Sequence, residues 1–163
     1  MEHLRLVWVL SGRGWADCTV SDQHAEAKVT ASCITTAPED LLTAVTRLVV
    51  GETESRAQFE AEPTAFRWVF YREGINVWIR LLKLANGSSH DNRGTEIWAT
   101  QQDTDVVARA LIRCFDEVVR QYGESAYRAK WGEHFPRAEL ETLRTVWREH
   151  RGDNAASSKP SNP

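Results

Sequence analysis

The chain has 163 residues, enough for a single domain with a substantial hydrophobic core. Hydrophobic residues make up 42% of it and charged residues 26%, which excludes a chain that is disordered throughout. A net charge of −3 excludes the strongly basic surface that is typical of nucleic-acid-binding proteins.

The first part of the chain predicts three antiparallel strands and a helix. Apolar residues dominate positions 4–10 and 15–20, and small apolar and polar residues alternate over 25–35, the period of a half-buried strand. The predicted helix has Pro38 in its first turn and Gly51 as its stop, with apolar residues at helical spacing between them.

The second part predicts four more strands and then three helices. Gly123 and Gly132 close the first two of these helices, and a proline opens the last. The expected strands span 55–61, 66–72, 75–84 and 95–101, and the helices occupy the stretches 103–123, 124–132 and 136–150.

Runs of strands separated from runs of helices predict an α+β fold. We expect an antiparallel sheet of about seven strands, built as a three-strand and a four-strand meander, with the helices packed on one face. Residues 1–150 should form one domain. Residues 151–163 are polar and contain no apolar side chain larger than alanine, so we expect a disordered C-terminal tail.

Residues 66–81 predict a hairpin with two different faces. A two-residue turn at Glu73-Gly74 places apolar residues opposite one another on one face, which is then the core face. The other face has Arg67 opposite Arg80, with Trp78 and Tyr71 further along it. The expected core pairs are Phe70 with Val77, Trp68 with Ile79, and Phe66 with Leu81.

Extending this register outward places Glu60 beside Arg67, Glu96 beside Arg80, and Trp98 beside Trp78. Two interpretations stay open: a solvated ladder of ion pairs, or a binding face whose arginine and aromatic residues resemble interface hot spots. An acidic partner would then compete with the two glutamates for the arginines. The candidate binding residues are Arg67, Arg80, Trp78, Trp98, Glu60, Glu96 and Tyr71.

The sequence predicts no catalytic, cofactor or metal site. Ser88, Ser89, His90 and Asp91 are catalytic residue types, but they are adjacent in a Gly/Asn-rich connection instead of being held apart on rigid elements. Three cysteines, odd in number and far apart, argue against a disulfide framework and favour the cytoplasm. The start of the chain predicts no signal peptide, and no stretch is apolar enough to span a membrane.

Three short motifs are shared with a group of small proteins. Gly14-Trp15, the Glu62-Pro63 segment that leads to Phe66 and Trp68, and the segment from Tyr122-Gly123 to Phe135-Pro136 resemble small uncharacterised actinobacterial proteins. Some of that group resemble immunity partners of polymorphic toxins. The resemblance implies a short, acidic, cytoplasmic α+β domain that has no catalytic residues and binds a protein.

We therefore expect a non-catalytic cytoplasmic domain that binds a partner protein, with an immunity protein that occludes a toxin as the specific form. One alternative is a small-molecule-binding domain or enzyme with its site between sheet and helices. Another is a homo-oligomeric structural protein, such as a homodimer, joined through the tryptophan and arginine face.

Overall fold

The computed structural model describes residues 3–157 of the chain, with side chains as far as Arg151. In these residues strands and helices follow one another in the predicted order. They are β1 (Arg5–Gly12), β2 (Trp15–Ser21), β3 (Glu26–Ser32), α1 (Ala37–Val49), β4 (Glu54–Glu60), β5 (Ala65–Glu73), β6 (Asn76–Leu84), β7 (Thr95–Asp103), α2 (Thr104–Tyr122), α3 (Glu124–Trp131) and α4 (Arg137–Ser157). A short 3₁₀ turn at Asp91–Arg93 precedes β7.

The strands form two antiparallel meanders. Strands β1, β2 and β3 pair in sequence order, and so do strands β4 to β7. This confirms the predicted α+β class and its division into three strands and four strands. Each meander is hydrogen-bonded within itself, so the seven strands make two sheets and not one continuous sheet.

The helices lie together against one side of the strands. Helix α1 packs on β4, α2 packs on β1, and α4 packs on both α1 and α2. Helix α1 can do so because its apolar residues recur at helical spacing and form one buried stripe. That stripe consists of Leu41, Leu42, Val45 and Leu48. No helix in residues 3–157 is long and apolar enough to cross a membrane.

The hairpin of β5 and β6 has the predicted faces but a different register. Its two-residue turn is Gly74-Ile75, so Glu73 lies opposite Asn76. Gly74 has a positive φ of 61° and occupies the first turn position, where glycine adopts this conformation without strain. Because the pairing shifts by two residues, every side chain of the hairpin keeps its predicted face. Trp68 is accordingly buried, opposite Leu81.

The prediction for Trp98 is wrong. A bulge at Leu81/Leu82 changes the register of β7, so that Trp98 lies opposite Leu81 and not beside Trp78 as predicted. The observed partner lies three residues along β6 from the predicted one. A register shift by an odd number of residues moves a side chain to the opposite face of a sheet. Trp98 is therefore in the core, 4% exposed, and its Nε1 donates to the Ala25 carbonyl at 3.2 Å.

Helix α4 runs further than the end expected for the domain. It continues to Ser157 and so includes residues 151–157, which the sequence analysis assigned to a disordered tail. Extending an existing helix avoids the cost of nucleation and adds one backbone hydrogen bond per residue. Leu140 and Leu143 provide that anchor, since both are fully buried. The rest of the expected tail, residues 158–163, lies outside the described residues.

Candidate functional site

The candidate site is the face of the four-stranded sheet opposite the helices, which we call the outer face. Side chains from neighbouring strands form rows across it, because paired residues point to the same side. From the hairpin turn towards the other end, the rows are Glu54–Tyr71–Trp78–Gln101, Arg56–Val69–Arg80–Ala99 and Gln58–Arg67–Leu82–Glu96. The register thus brings aromatic, arginine and acidic residues close together.

Two aromatic rings occupy the centre of the first row. Tyr71 and Trp78 are direct cross-strand partners, and their ring centroids lie 5.8 Å apart with an angle of 44° between the planes. Tyr71 is 44% exposed, and Trp78 is partly exposed. Most other large aromatic residues of this chain are buried, so an exposed pair held on a rigid sheet is a distinctive feature of the outer face.

Arg80 and Glu96 form the ion pair predicted for them. Arg80 Nε donates to Glu96 Oε1 at 2.7 Å, and about half of each side chain is exposed. The ion pair forms although Glu96 lies opposite Leu82 and not opposite Arg80. The long arginine side chain reaches diagonally to the next row on the neighbouring strand. Both groups are accessible to a partner.

Arg67 has a different environment from the one predicted. Instead of lying between Glu60 and Arg80, it pairs with Gln58 on β4 and Leu82 on β6, because both registers differ from the prediction by two residues. Glu60 accepts a hydrogen bond from Gln58 Nε2 at 2.6 Å and makes no ion pair with Arg67. The charged row expected from the sequence is therefore not formed as a continuous row.

The Arg67 side chain is only 12% exposed and holds the connection between β6 and β7 in place. Its guanidinium donates to Gln58 Oε1 and to the carbonyl oxygens of Gly87 and Ser89, and Nη1 lies 2.8 Å from Asp91 Oδ1. An arginine with this many intramolecular acceptors is a structural residue, and its donors are not free for a partner.

The connecting segment 85–94 covers one end of the outer face. Leu82 and Leu84 are buried although they point to this side of β6. The backbone approaches so closely that a Cβ on Gly94 would lie 2.9 Å from Leu84 Cδ2 and 3.2 Å from the Asp91 carbonyl oxygen. A side chain at this position would require Leu84 or the segment to shift, so glycine allows the segment to close over the leucines. The exposed part of the outer face is thereby confined to the turn end.

Ser88, Ser89 and Asp91, which are of catalytic residue types, form hydrogen bonds that hold this segment in place. The hydroxyl groups of Ser88 and Ser89 donate to Asn86 Oδ1, at 2.8 and 3.2 Å. Asp91 accepts from Arg56 and Arg67. Partial burial would raise the pKa of Asp91, but hydrogen bonds from the two guanidinium groups and their positive charge outweigh it and hold the pKa below its usual range. No nucleophile–base pair is formed among these side chains.

Between the four-stranded sheet and the helices there is little room for a ligand, whereas an open groove of about 490 Å³ lies between β1 and α2. The gap beside Trp68, lined by side chains such as Leu41 and Leu111 from the helices, has a volume of about 10 Å³, close to the minimum for one water molecule. An open depression of about 660 Å³ lies at the surface between Arg56 and the 88–92 segment. Within residues 3–157, no group of three or more His, Cys, Asp or Glu side chains is placed to hold a metal ion.

Of the predicted site residues, Tyr71, Trp78, Arg80 and Glu96 come together on the outer face, whereas Arg67 and Glu60 lie at the covered end and Trp98 in the core. Arg56, which was not among the predicted site residues, lies in the same row as Arg80. The alternation of Arg56 with Gln58 along the predicted strand was the signal that would have found it.

Comparisons with protein-family models and with curated proteins find no match. Among solved structures, the chain is similar to one described as "CdiA-CT/CdiI toxin and immunity complex from Enterobacter cloacae". The identity is 16%, the alignment covers 71% of this chain and 99% of that chain, and the TM-score is 0.45. A likeness at this level does not assign a function.

Proposed function

We propose that this protein is a non-catalytic domain that binds a partner protein through the turn end of the outer face. The observation that carries the proposal is the exposed Tyr71–Trp78 pair, 5.8 Å between ring centroids, on a sheet whose opposite face is buried. Tyrosine, tryptophan and arginine are the residues that most often dominate binding energy at protein interfaces.

Rigidity of the outer face supports this proposal. Tyr71 and Trp78 belong to adjacent strands of one hairpin, so their separation is set before a partner arrives. Little conformational entropy is then lost when they are covered. Arg80 and Glu96 lie beside them as an exposed pair and form a polar rim that can exchange hydrogen bonds with a partner.

The partner that we propose is a toxin, which the protein neutralises by occluding a surface of it in the cytoplasm. The three motifs resemble small actinobacterial proteins, and because some of that group resemble immunity proteins, the resemblance favours this form of the proposal. The odd number of widely spaced cysteines supports a reducing compartment. Occlusion requires no catalytic residues, and the side chains of the 88–91 segment are engaged in holding that segment together.

The test is affinity capture from extracts of the native host with tagged wild-type protein and with the double variant Tyr71→Ala, Trp78→Ala. A partner retained by wild type and lost by this variant is the expected result. The matched control is Val9→Ala, Trp15→Ala, which removes two exposed apolar side chains from the other sheet. Far-UV spectra and melting curves establish that both variants are folded.

Whether the partner is a toxin is tested separately, by expressing the captured partner alone and together with this protein. Growth arrest that is relieved by co-expression of wild type, and not by the double variant, is expected. A partner captured equally by all three proteins would contradict the role of the outer face. Light scattering of the purified protein tests the homodimer: a dimer that the double variant converts to a monomer would favour self-association.

A further inference from the structure

The turn end of the outer face carries carboxylates on several sides of the aromatic pair. Glu54 is the cross-strand partner of Tyr71, and Glu73 lies two residues further along β5 on the same face. Asp103 lies opposite Asn76, one row beyond Trp78. Glu54 and Glu73 are exposed, and Asp103 is partly exposed. Within residues 3–157, none of the three carboxylates has an Arg, Lys or His nitrogen within 4.0 Å.

The positive charges of the same face are arranged differently, because each of its arginines already has an acidic neighbour. Arg56 and Arg67 both bind Asp91, and Arg80 binds Glu96. The arginine charges of the outer face are therefore matched, whereas the guanidinium of Arg72, at the same end of the sheet, donates to the carbonyl oxygens of Gly74 and Leu48. On the outer face itself, the unmatched charge beside Tyr71 and Trp78 is negative.

We infer that the partner presents a cationic segment whose Lys or Arg side chain lies over the Tyr71–Trp78 rings and beside Glu54 and Glu73. This inference rests on the proposed function, since it names the chemistry of the protein that docks on the outer face. It differs from the acidic partner expected from the sequence, because Arg67 is committed to the 85–94 segment and the exposed Arg80 already has its charge matched by Glu96.

Two physical effects together favour the binding of a cationic segment at this site. An ammonium or guanidinium group is attracted to the face of an aromatic ring, and the attraction is strengthened when water is excluded by docking. A carboxylate next to the ring adds a charge-assisted hydrogen bond to the same group. The same carboxylates repel an acidic peptide or a phosphate backbone, so the charge pattern selects between classes of partner.

The test uses a capped peptide of alternating lysine and threonine, together with a second peptide in which glutamate replaces every lysine. Binding is followed by NMR through the indole N–H of Trp78 and the backbone amides of Glu54, Tyr71 and Glu73. We expect the lysine peptide to shift these signals at low salt, and the glutamate peptide to leave them unchanged. Added salt should reduce the shifts, because the charges are exposed.

The decisive variant is Glu54→Gln with Glu73→Gln, which keeps side-chain size and removes two charges. It should weaken binding of the lysine peptide by about fivefold or more. The matched control is Glu133→Gln with Glu149→Gln, which removes two charges from exposed positions outside the outer face and should leave binding unchanged. No shift with the lysine peptide, or binding that survives the Glu54 and Glu73 changes, overturns the inference.

The captured partner separates this inference from the proposed function. A partner that is lost with Tyr71→Ala, Trp78→Ala but still binds the Glu54→Gln, Glu73→Gln variant at full strength preserves the outer face as the interface and rejects the cationic segment. A partner that is retained by both variants rejects the interface itself. Loss with both, and retention by the Glu133 and Glu149 control, supports both conclusions.

Discussion

Arg67 Nη1 and Asp91 Oδ1 lie 2.8 Å apart and join the second strand of the four-stranded sheet to the segment between its third and fourth strands. The contact spans 24 residues of sequence and is mostly shielded from solvent on the arginine side. It decides how much of the outer face is accessible, because the segment that it holds covers Leu82 and Leu84. The outer face is thus divided into a closed end and an open aromatic end.

Arg67→Ala should lower the free energy of unfolding by about 2–4 kcal/mol, because it removes several charge-assisted hydrogen bonds from a largely buried site. Arg80→Ala is the matched control and should lower it by less than about 1 kcal/mol, since its ion pair with Glu96 is half exposed. Urea denaturation measures both. Equal losses would show that Arg67 does not hold the 85–94 segment.

Asp91 should make the protein sensitive to acid. Its pKa is lower in the folded state than its unfolded value of about 3.9, so it stabilises the fold above that pH. The stabilisation is lost as the pH falls through the folded pKa. Between about pH 4 and about pH 2, wild type should therefore lose more unfolding free energy than Asp91→Asn. Parallel curves in urea titrations over this range would contradict the prediction.

Glu39 should have the opposite pH dependence. Burial raises the pKa of Glu39, and the neighbouring carboxylates of Glu139, Asp40 and Glu133 raise it further. A carboxyl with a raised folded pKa favours folding below its unfolded pKa, and that contribution is lost as the pH rises through the folded value.

Glu39→Gln should therefore be more stable than wild type at pH 7, by less than about 1 kcal/mol, because the positive end of helix α1 partly compensates the charge. The advantage should shrink towards about pH 4, where wild type is itself becoming protonated. Thermal melts at the two pH values measure the difference. Glu149→Gln is the control, since that side chain is exposed. A variant that is less stable at pH 7 would refute the assignment.

Trp98→Ala and Trp78→Ala distinguish the observed register from the one expected from sequence. Trp98 is buried in the core, so its truncation should lower the free energy of unfolding by about 3–5 kcal/mol, as for Trp68→Ala. Trp78→Ala should lower it by less than about 2 kcal/mol, because its ring lies on the outer face. A loss for Trp98→Ala as small as that for Trp78→Ala would favour the register in which both tryptophans share the outer face.

Local patterns in the sequence determined most of the fold. Alternating apolar residues in β5 and β6 assigned Trp68 to the core and Trp78 to the other face, and this holds although the turn lies one residue later. The assignment survives because a turn moved by one residue changes the pairing by two, and strand side chains repeat with a period of two. Glycine and proline positions likewise marked the helices from neighbouring residues alone.

Only the tertiary structure decided the outcome where distant segments meet. A bulge at Leu81/Leu82 places the Trp98 side chain on the core face of the sheet. Such a bulge depends on both strands and on the connection between them. Arg67 found its partners in that connection, 20 to 24 residues away in sequence. Its local pattern matched that of Arg80, yet one is enclosed and the other exposed. Burial of a charged side chain depends on which loop folds over it, and strand periodicity carries no information about that loop.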